Sequence, residues 1–321
     1  MLKRSLLLVE LEKNKSASGI FFEKIFLIRH FRLLFRFKFK YLRWFLASIV
    51  TPAKVTAKTF WGRDIYLFLS DNAATHIYFL GAFVFPEIKL IKFIIKHLGP
   101  DSIFYDIGAS YGFYSMLADL LLERGEIHFF EPYPEVFQLS KNNLNNSANK
   151  IFANNAAVSS KTGEVDFFKA NYWRASGSTI VSSCTSYLND YETIRVQAVN
   201  LDEYIKNNQP PTFIKMDAEG AESDIIKGGL ELIGKNHPVI SLEIWTRNNK
   251  NSVLSLAAAD LLLSLGYNAY WLDDDGDLKA VGRDDMGCFD YWFDNYIFIH
   301  KLSQPLKSRL INFPNSSISL A

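Results

Sequence analysis

Apolar and polar positions follow two rhythms along this chain. Lys54 to Leu69 alternates every second residue about Gly62-Arg63-Asp64, which predicts two strands joined by a hairpin turn. Asn72 to Phe83 and Glu87 to Leu98 follow as helical or irregular stretches, leading through Gly99-Pro100. Short aromatic and β-branched runs then alternate with helical segments. Phe104–Ile107, Ile127–Phe130 and Ile151–Val158 predict buried strands. Phe113–Arg124, closed by Gly125, and Pro134–Asn146, with proline in its first turn, predict the helices between them. Glu164–Lys169 and Thr193–Val199 continue as strands, and Leu201–Lys206 as a short helix. Phe213–Met216 and Val239–Ile244 are two further buried strands, followed by helices over Ala221–Lys227 and Val253–Leu265. Gly266 ends the last helix, and Tyr267–Leu272 and Asn295–His300 finish the sheet. Strands alternating with helices predict an α/β fold: an open, mostly parallel sheet with helices on both faces and an antiparallel C-terminal strand.

Some stretches stand outside that pattern. Residues 1 to 19 are expected to be weakly structured, with no apolar segment and cleavage site of a signal peptide. Asn171 to Tyr191 is polar and without period, and loops of that length are usually functional or disordered, so a substrate-facing lid is expected there. The expected division is an N-terminal extension over 1–50, a lead-in cap over 51–100, the main domain over 101–301 and a loose tail over 302–321.

Composition changes this picture little. At 321 residues and 49% hydrophobic, the chain holds one sizeable domain plus extensions. Cys184 and Cys288 offer neither a disulfide framework nor metal spacing, so a reducing cytoplasm is the expected setting. The net charge of +1 hides an asymmetry, because residues 1–50 carry eleven basic residues against three acidic ones. Between Ile20 and Val50 no uncharged run reaches the length of a membrane span. On a helical wheel Arg29, Arg32, Arg36, Lys40 and Arg43 share one stripe, opposite Leu27, Phe31, Leu34, Phe35, Leu42 and Phe45, while Lys38 is misplaced. Two readings fit equally. One is a helix lying on an anionic surface, giving peripheral contact with the inner face of the membrane through 20–50. The other is a helix packed on its own domain with the basic face solvated.

The chemistry gathers at two strand tips. The first is Asp106-Ile107-Gly108-Ala109-Ser110-Tyr111-Gly112, a strand end feeding a glycine turn and then a helix. Ligands of open α/β sheets bind beyond the carboxyl ends of the strands. Gly108 is expected to let a ligand approach the backbone, and Gly112 to let the helix start close by. Glu131 ends the next strand about twenty residues on, the interval at which such folds place an acid on a ribose diol. A pyrophosphate site wants several glycines facing the anion, whereas here Asp106 stands at the turn. Acids at both tips suit S-adenosylmethionine, which carries a sulfonium, an α-amino group and a ribose. Near the third strand end, Asn154 and Asn155 serve either to read an adenine edge or simply to form a turn.

The second tip is Lys215-Met216-Asp217-Ala218-Glu219-Gly220-Ala221-Glu222. Acids are favourable at a helix N-terminus, which accounts for Glu219 and Glu222 better than for Asp217. Asp217 is the leading candidate to accept or hold the proton of a reacting hydroxyl, with Lys215 and Glu219 behind it. Glu243 is a further acid near a strand end, but no histidine accompanies it and Asp217, and no metal is expected. His128 and His237 are expected to be structural. Asp273 to Asp277 lacks the closing glutamate of a calcium loop and predicts a solvated turn.

With both tips in view, residues from about 75 to 300 resemble the FkbM-type methyltransferases. The resemblance rests on Tyr105-Asp106-Ile107-Gly108-Ala109 with Gly112, on Phe130-Glu131-Pro132, and on Ala156-Ala157-Val158-Ser159 before Gly163. It continues in Leu201-Asp202-Glu203-Tyr204-Ile205 and, most specifically, in Ile214 to Glu222 followed by Leu242-Glu243. It implies a Rossmann-like class I methyltransferase fold and S-adenosylmethionine as cofactor, held by Asp106, Gly108, Gly112, Glu131, Asn155 and Ala156. It also implies O-methylation of a hydroxyl on a sugar, a glycan or a polyketide-type metabolite. Three other readings stand beside it. A nicotinamide dehydrogenase lacks its Gly-x-Gly-x-x-Gly here. A nucleic-acid methyltransferase would use the basic segment on phosphates, against an acidic remainder, so no nucleic acid is expected. A non-catalytic membrane-associated protein would keep only a vestigial pocket.

Overall fold

The computed structural model describes residues 3–13, 54–69, 71–83, 86–170, 175–188, 190–250, 252–289 and 293–303. The amphipathic segment expected over 20–50 lies outside the described residues, as does most of the tail.

The first described element corrects an expectation. Residues 3–13 form a helix, α1, rather than weak structure. Leu7 and Leu11, one turn apart, are buried, and the Arg4 guanidinium donates to the carbonyls of Ile95, Lys96 and Leu98. Those are carbonyls freed at another helix's C-terminus, which a cation satisfies well. Leu6, Leu7, Leu8 and Val9 run together beside Leu11, so the two buried positions gave no visible period. Its stability comes from a partner distant in sequence.

The hairpin of β1 (Lys54–Lys58) and β2 (Asp64–Phe68) forms as expected. Helices α2 (Asn72–Leu80) and α3 (Glu87–His97) follow, and α3 is buried along most of its length. The main domain then runs β3 (Ile103–Ile107), α4 (Phe113–Leu121), β4 (Glu126–Phe130), α5 (Pro134–Asn143) and β5 (Lys150–Asn154). After β6 (Ala157–Val158), β7 (Gly163–Ala170) and β8 (Tyr191–Val199) come α6 (Leu201–Tyr204), β9 (Phe213–Met216), α7 (Glu222–Lys227) and α8 (Leu230–Asn236). The chain closes with β10 (Val239–Trp245), α9 (Ser252–Ser264), β11 (Tyr267–Leu272), β12 (Leu278–Ala280) and β13 (Phe293–His300).

Eight strands form the main sheet in the order β12-β11-β13-β10-β9-β3-β4-β5. From β5 to β10 all neighbours are parallel, and β13 inserts antiparallel between β10 and β11. This is the Rossmann-like class I methyltransferase arrangement expected from the sequence. The chain leaves β3 toward β4 and β5, then returns to place β9 on its other side. The crevice beyond β3 and β9 is therefore the topological switch point, where such sheets bind ligands.

One expectation is corrected beside it. Ile151–Val158 is not one strand: β5 pairs with β4, whereas β6 pairs with β8 in a separate sheet ordered β6-β8-β7. The chain turns at Asn155, whose Nδ2 donates to the Glu131 carbonyl at 2.8 Å. Asp273 to Asp277 forms the expected turn with Asp274, Asp275 and Asp277 exposed, and Lys92 and Lys96 of α3 donate to the Asp274 and Asp275 carbonyls at 2.7 Å each.

The Leu-Asp-Glu element has a structural role. Asp202 accepts from the backbone N–H groups of Leu232 at 2.7 Å and Glu231 at 3.1 Å, in the first turn of α8. Asp202→Ala leaves those donors unpaired, and chemical denaturation should show a loss of about 1 kcal/mol.

Candidate active site

A cavity of about 770 Å³ opens at the switch point. Its walls come from the turn after β3, the ends of β4, β9 and β10, residues 176–180, the start of α3 and the start of β13. Of the nine residues expected at the site, it brings together Gly108, Glu131, Ala156, Lys215, Asp217 and Glu219. It does not bring Asp106, Gly112 or Asn155 to the cavity wall.

Each displaced residue has a physical reason. Asp106 lies within β3 and is fully buried. Its Oδ2 accepts from Ser115 Oγ at 2.7 Å, while Oδ1 lies 4.0 Å from Lys215 Nζ with no hydrogen-bond partner. It is an internal counter-charge behind the wall. Gly112 takes φ 78° at the start of α4, and a Cβ there would meet Ser140 Cβ at 3.2 Å, so the glycine fits the helix against α5. Asn155 is spent on the Glu131 and Pro132 carbonyls, which is the turn-forming alternative.

Gly108 lines the cavity, but its absent side chain makes room for protein. With φ 73°, a Cβ would lie 1.7 Å from the Asp217 carbonyl oxygen. The two strand tips thus touch backbone to backbone, and the Asp217 N–H donates to the Ile107 carbonyl at 3.1 Å.

Glu131 is buried at the end of β4 and held at both oxygens: Oε2 accepts from the Ser110 N–H and Oε1 from the Tyr133 N–H, each at 2.8 Å. Burial pushes its carboxyl up to about 7 despite those N–H groups. Ser110 is left-handed at φ 49°, as is Glu219 at φ 51° in the turn after β9. Non-glycine residues held there cost free energy, and such positions cluster at ligand sites.

Lys215 sits beneath Asp217. Its ammonium lies 3.0 Å from Asp217 Oδ2, donates to the Gly108 carbonyl at 3.3 Å and stands 5.2 Å above the Tyr114 ring. Burial alone would lower its pKa, but Asp217, Asp106 and Glu87 outweigh that and hold it above the ordinary lysine value. It is protonated at neutral pH and is no proton acceptor. Asp217 keeps Oδ1 without a partner among the described residues.

Several residues of the site carried no sequence signal. Glu87 comes from the first turn of α3, where its Oε2 accepts from the Tyr114 hydroxyl and its Oε1 from Asn295 Nδ2 at 2.9 Å. Trp245, whose indole donates to Glu243 Oε1 at 2.6 Å, and Phe293 add aromatic faces. An acid at a helix N-terminus and aromatics at strand ends are ordinary in a sequence, and only the pairing of β10 with β13 gathers them. Residues 176, 178, 179 and 180 of the expected lid line the cavity. Ser176 Oγ donates to Asp71 at 2.8 Å and Thr179 Oγ1 to the Glu219 carbonyl at 2.9 Å.

The lining sets Glu87, Glu131, Asp217, Glu219 and Glu243 against Lys215 and Lys250. His76 is held neutral by burial, which lowers its pKa. Such a wall repels a diphosphate and suits a ligand with positive charge. Among the described residues no cluster of histidine, cysteine and acid side chains is fit for a metal ion, and no helix is long and apolar enough to cross a membrane.

Known proteins resemble part of this chain. The sequence profile of the methyltransferase FkbM domain matches residues 106–269. The hexuronic acid methyltransferase AglP of Haloferax volcanii is 20% identical over 144 residues, covering 44% of this chain and 56% of that protein. The 2-O-methyltransferase NoeI of Sinorhizobium fredii is 27% identical over 164 residues, covering 46% of this chain and 66% of that protein. The chain thus spans less than two thirds of the length of either relative. The crystal structure of an FkbM methyltransferase from Methylobacillus flagellatus aligns with a TM-score of 0.38 at 19% identity, over 63% of this chain and 44% of that one.

Proposed function

We propose, for a chain that belongs to the FkbM methyltransferase family, that it transfers a methyl group from S-adenosylmethionine to a hydroxyl of a sugar or glycan. The observation that carries the reading is one cavity at the switch point shared by Glu131 and Asp217, with more acids than bases in its wall. The names of the two relatives, one acting on a hexuronic acid and one a 2-O-methyltransferase, support a sugar hydroxyl as acceptor.

The residues present fit the donor. Glu131, with both oxygens already oriented by backbone N–H groups, stands where a ribose diol is held. Ala156 offers an apolar surface beside it, and the acids around Lys215 favour a cationic centre. When bound, S-adenosylmethionine supplies an electrophilic methyl group on a sulfonium. The protein's part is to hold the acceptor oxygen in line and to take its proton. Asp217 does this through Oδ1, while Lys215 anchors Oδ2. Residues 176–180, pinned to Asp71 and to the Glu219 carbonyl, cover the acceptor as a fixed lid. Titration calorimetry with S-adenosylhomocysteine, followed by labelled-methyl transfer to sugars, tests the reading. Absence of binding heat removes it.

Glu131 gives donor binding a pH dependence. Its folded pKa, about 7, lies above the ordinary 4.5, so the neutral form favours the folded state. That contribution is full below 4.5 and is lost as pH rises through about 7. Accepting two ribose hydroxyls favours the ionised form instead. Affinity for S-adenosylhomocysteine should therefore rise severalfold between about pH 6 and 8, and Glu131→Gln should flatten the profile. A flat wild-type profile excludes Glu131 from the donor site.

A further inference from the structure

The cavity wall holds acids that the proposed donor site does not use. His76, Phe83, Glu87 and Phe293 lie outside residues 106–269, so the family match covers only part of this wall, the part with Glu219, Glu243 and Trp245. Three carboxylates face it. Glu87 is scaffolded by Tyr114 and Asn295, and Glu243 by Trp245. Glu219 extends from a left-handed residue whose carbonyl is fixed by Thr179. Among the described residues no ion pair reaches any of the three. Burial first, and the Asp217 charge next, raise all three above the ordinary carboxylate range, so each holds its proton more tightly until a cation stands beside it and restores the ionised form.

The cations at hand do not answer this charge. Lys215 is engaged by Asp217 and Asp106, and Lys250 stands on an exposed stretch. A donor with one net positive charge leaves the lining with an excess of acid. Ammonium groups are also stabilised over aromatic faces, which Trp245, Phe83 and Phe293 supply along the same wall. An acceptor carboxylate or phosphate would instead be desolvated here with no buried cation free to pair with it among the described residues, since Lys215 is already engaged.

We propose that the acceptor is a polyhydroxylated compound bearing a protonated amino group, which this acidic aromatic wall receives, and that uronates and phosphorylated sugars are rejected. The proposal rests on the methyl-transfer reading and narrows it. A hexuronic acid, named for the Haloferax relative, would not fit this wall.

The test begins by titrating the protein with S-adenosylhomocysteine. The loaded protein is then titrated with chitosan tetraose, with its fully N-acetylated counterpart, which has the same backbone without the charge, and with tetragalacturonate, an anionic oligomer of the same length. The amine should bind at least about tenfold more tightly than the N-acetylated oligomer. The uronate should bind more weakly than both, and added salt should narrow the gap. Glu243→Gln should reduce the amine preference severalfold. Equal or tighter binding of the neutral or anionic oligomer, or binding of none of the three, overturns the proposal. Failure of S-adenosylhomocysteine itself to bind overturns the methyl-transfer reading instead.

Discussion

Asp217→Asn lowers kcat by about 10³-fold, the middle of the range for a positioned acid or base, while the Kd for S-adenosylhomocysteine stays within a few fold. The asparagine has nearly the same shape, so the loss isolates the proton-accepting charge. Lys215 retains Asp106 at 4.0 Å and the Gly108 carbonyl at 3.3 Å, so its ammonium keeps partners in the variant. The measurement is single-turnover transfer of labelled methyl beside calorimetry of the donor product. If the variant turns over at the wild-type rate, Asp217 has no part in the proton transfer. If donor binding and turnover fall together, Asp217 serves the fold or the donor.

Gly108→Ala disrupts the site through the backbone. The new Cβ would sit 1.7 Å from the Asp217 carbonyl oxygen, on a residue whose φ of 73° alanine adopts poorly. Neither atom belongs to a flexible side chain, so the tips of β3 and β9 must separate, breaking the bond between the Asp217 N–H and the Ile107 carbonyl. The expected cost is on the order of 4 kcal/mol or more, in the range reserved for severe backbone or core damage. That corresponds to a fall in Tm on the order of 10 °C. Gly112→Ala makes the comparison: the contact there is 3.2 Å, to Ser140 Cβ, so it should cost less. Similar melting of the two variants would mean that contact between the strand tips is not what Gly108 is for.

These two glycines show where reading the sequence succeeds and where it stops. The turn after β3 was legible because glycines so spaced, between an apolar run and a helix, let the chain reverse tightly where a side chain would resist. One use of it was not: the missing side chain of Gly108 makes room for the backbone of Asp217, over a hundred positions away. Asp106 was legible as an acid at a strand end. Its burial was not, because Ser115 and Lys215 reach it only once α4 and β9 have packed. Glu131 fell where its spacing placed it. Glu87, Tyr114, Asn295 and Trp245 carried no spacing signal, since they come from elements joined by the pairing of β13 with β10 and the docking of α3.

Local alternation of apolar runs, glycine turns and acids was enough to determine the α/β architecture, the switch-point strands and the chemistry of their tips, because those properties depend on near neighbours in the chain. Which acids face the cavity and which lie behind it as counter-charges were decided only by the packed structure. Burial and charge pairing depend on distance in space, and the residues that set them lie far apart in the sequence.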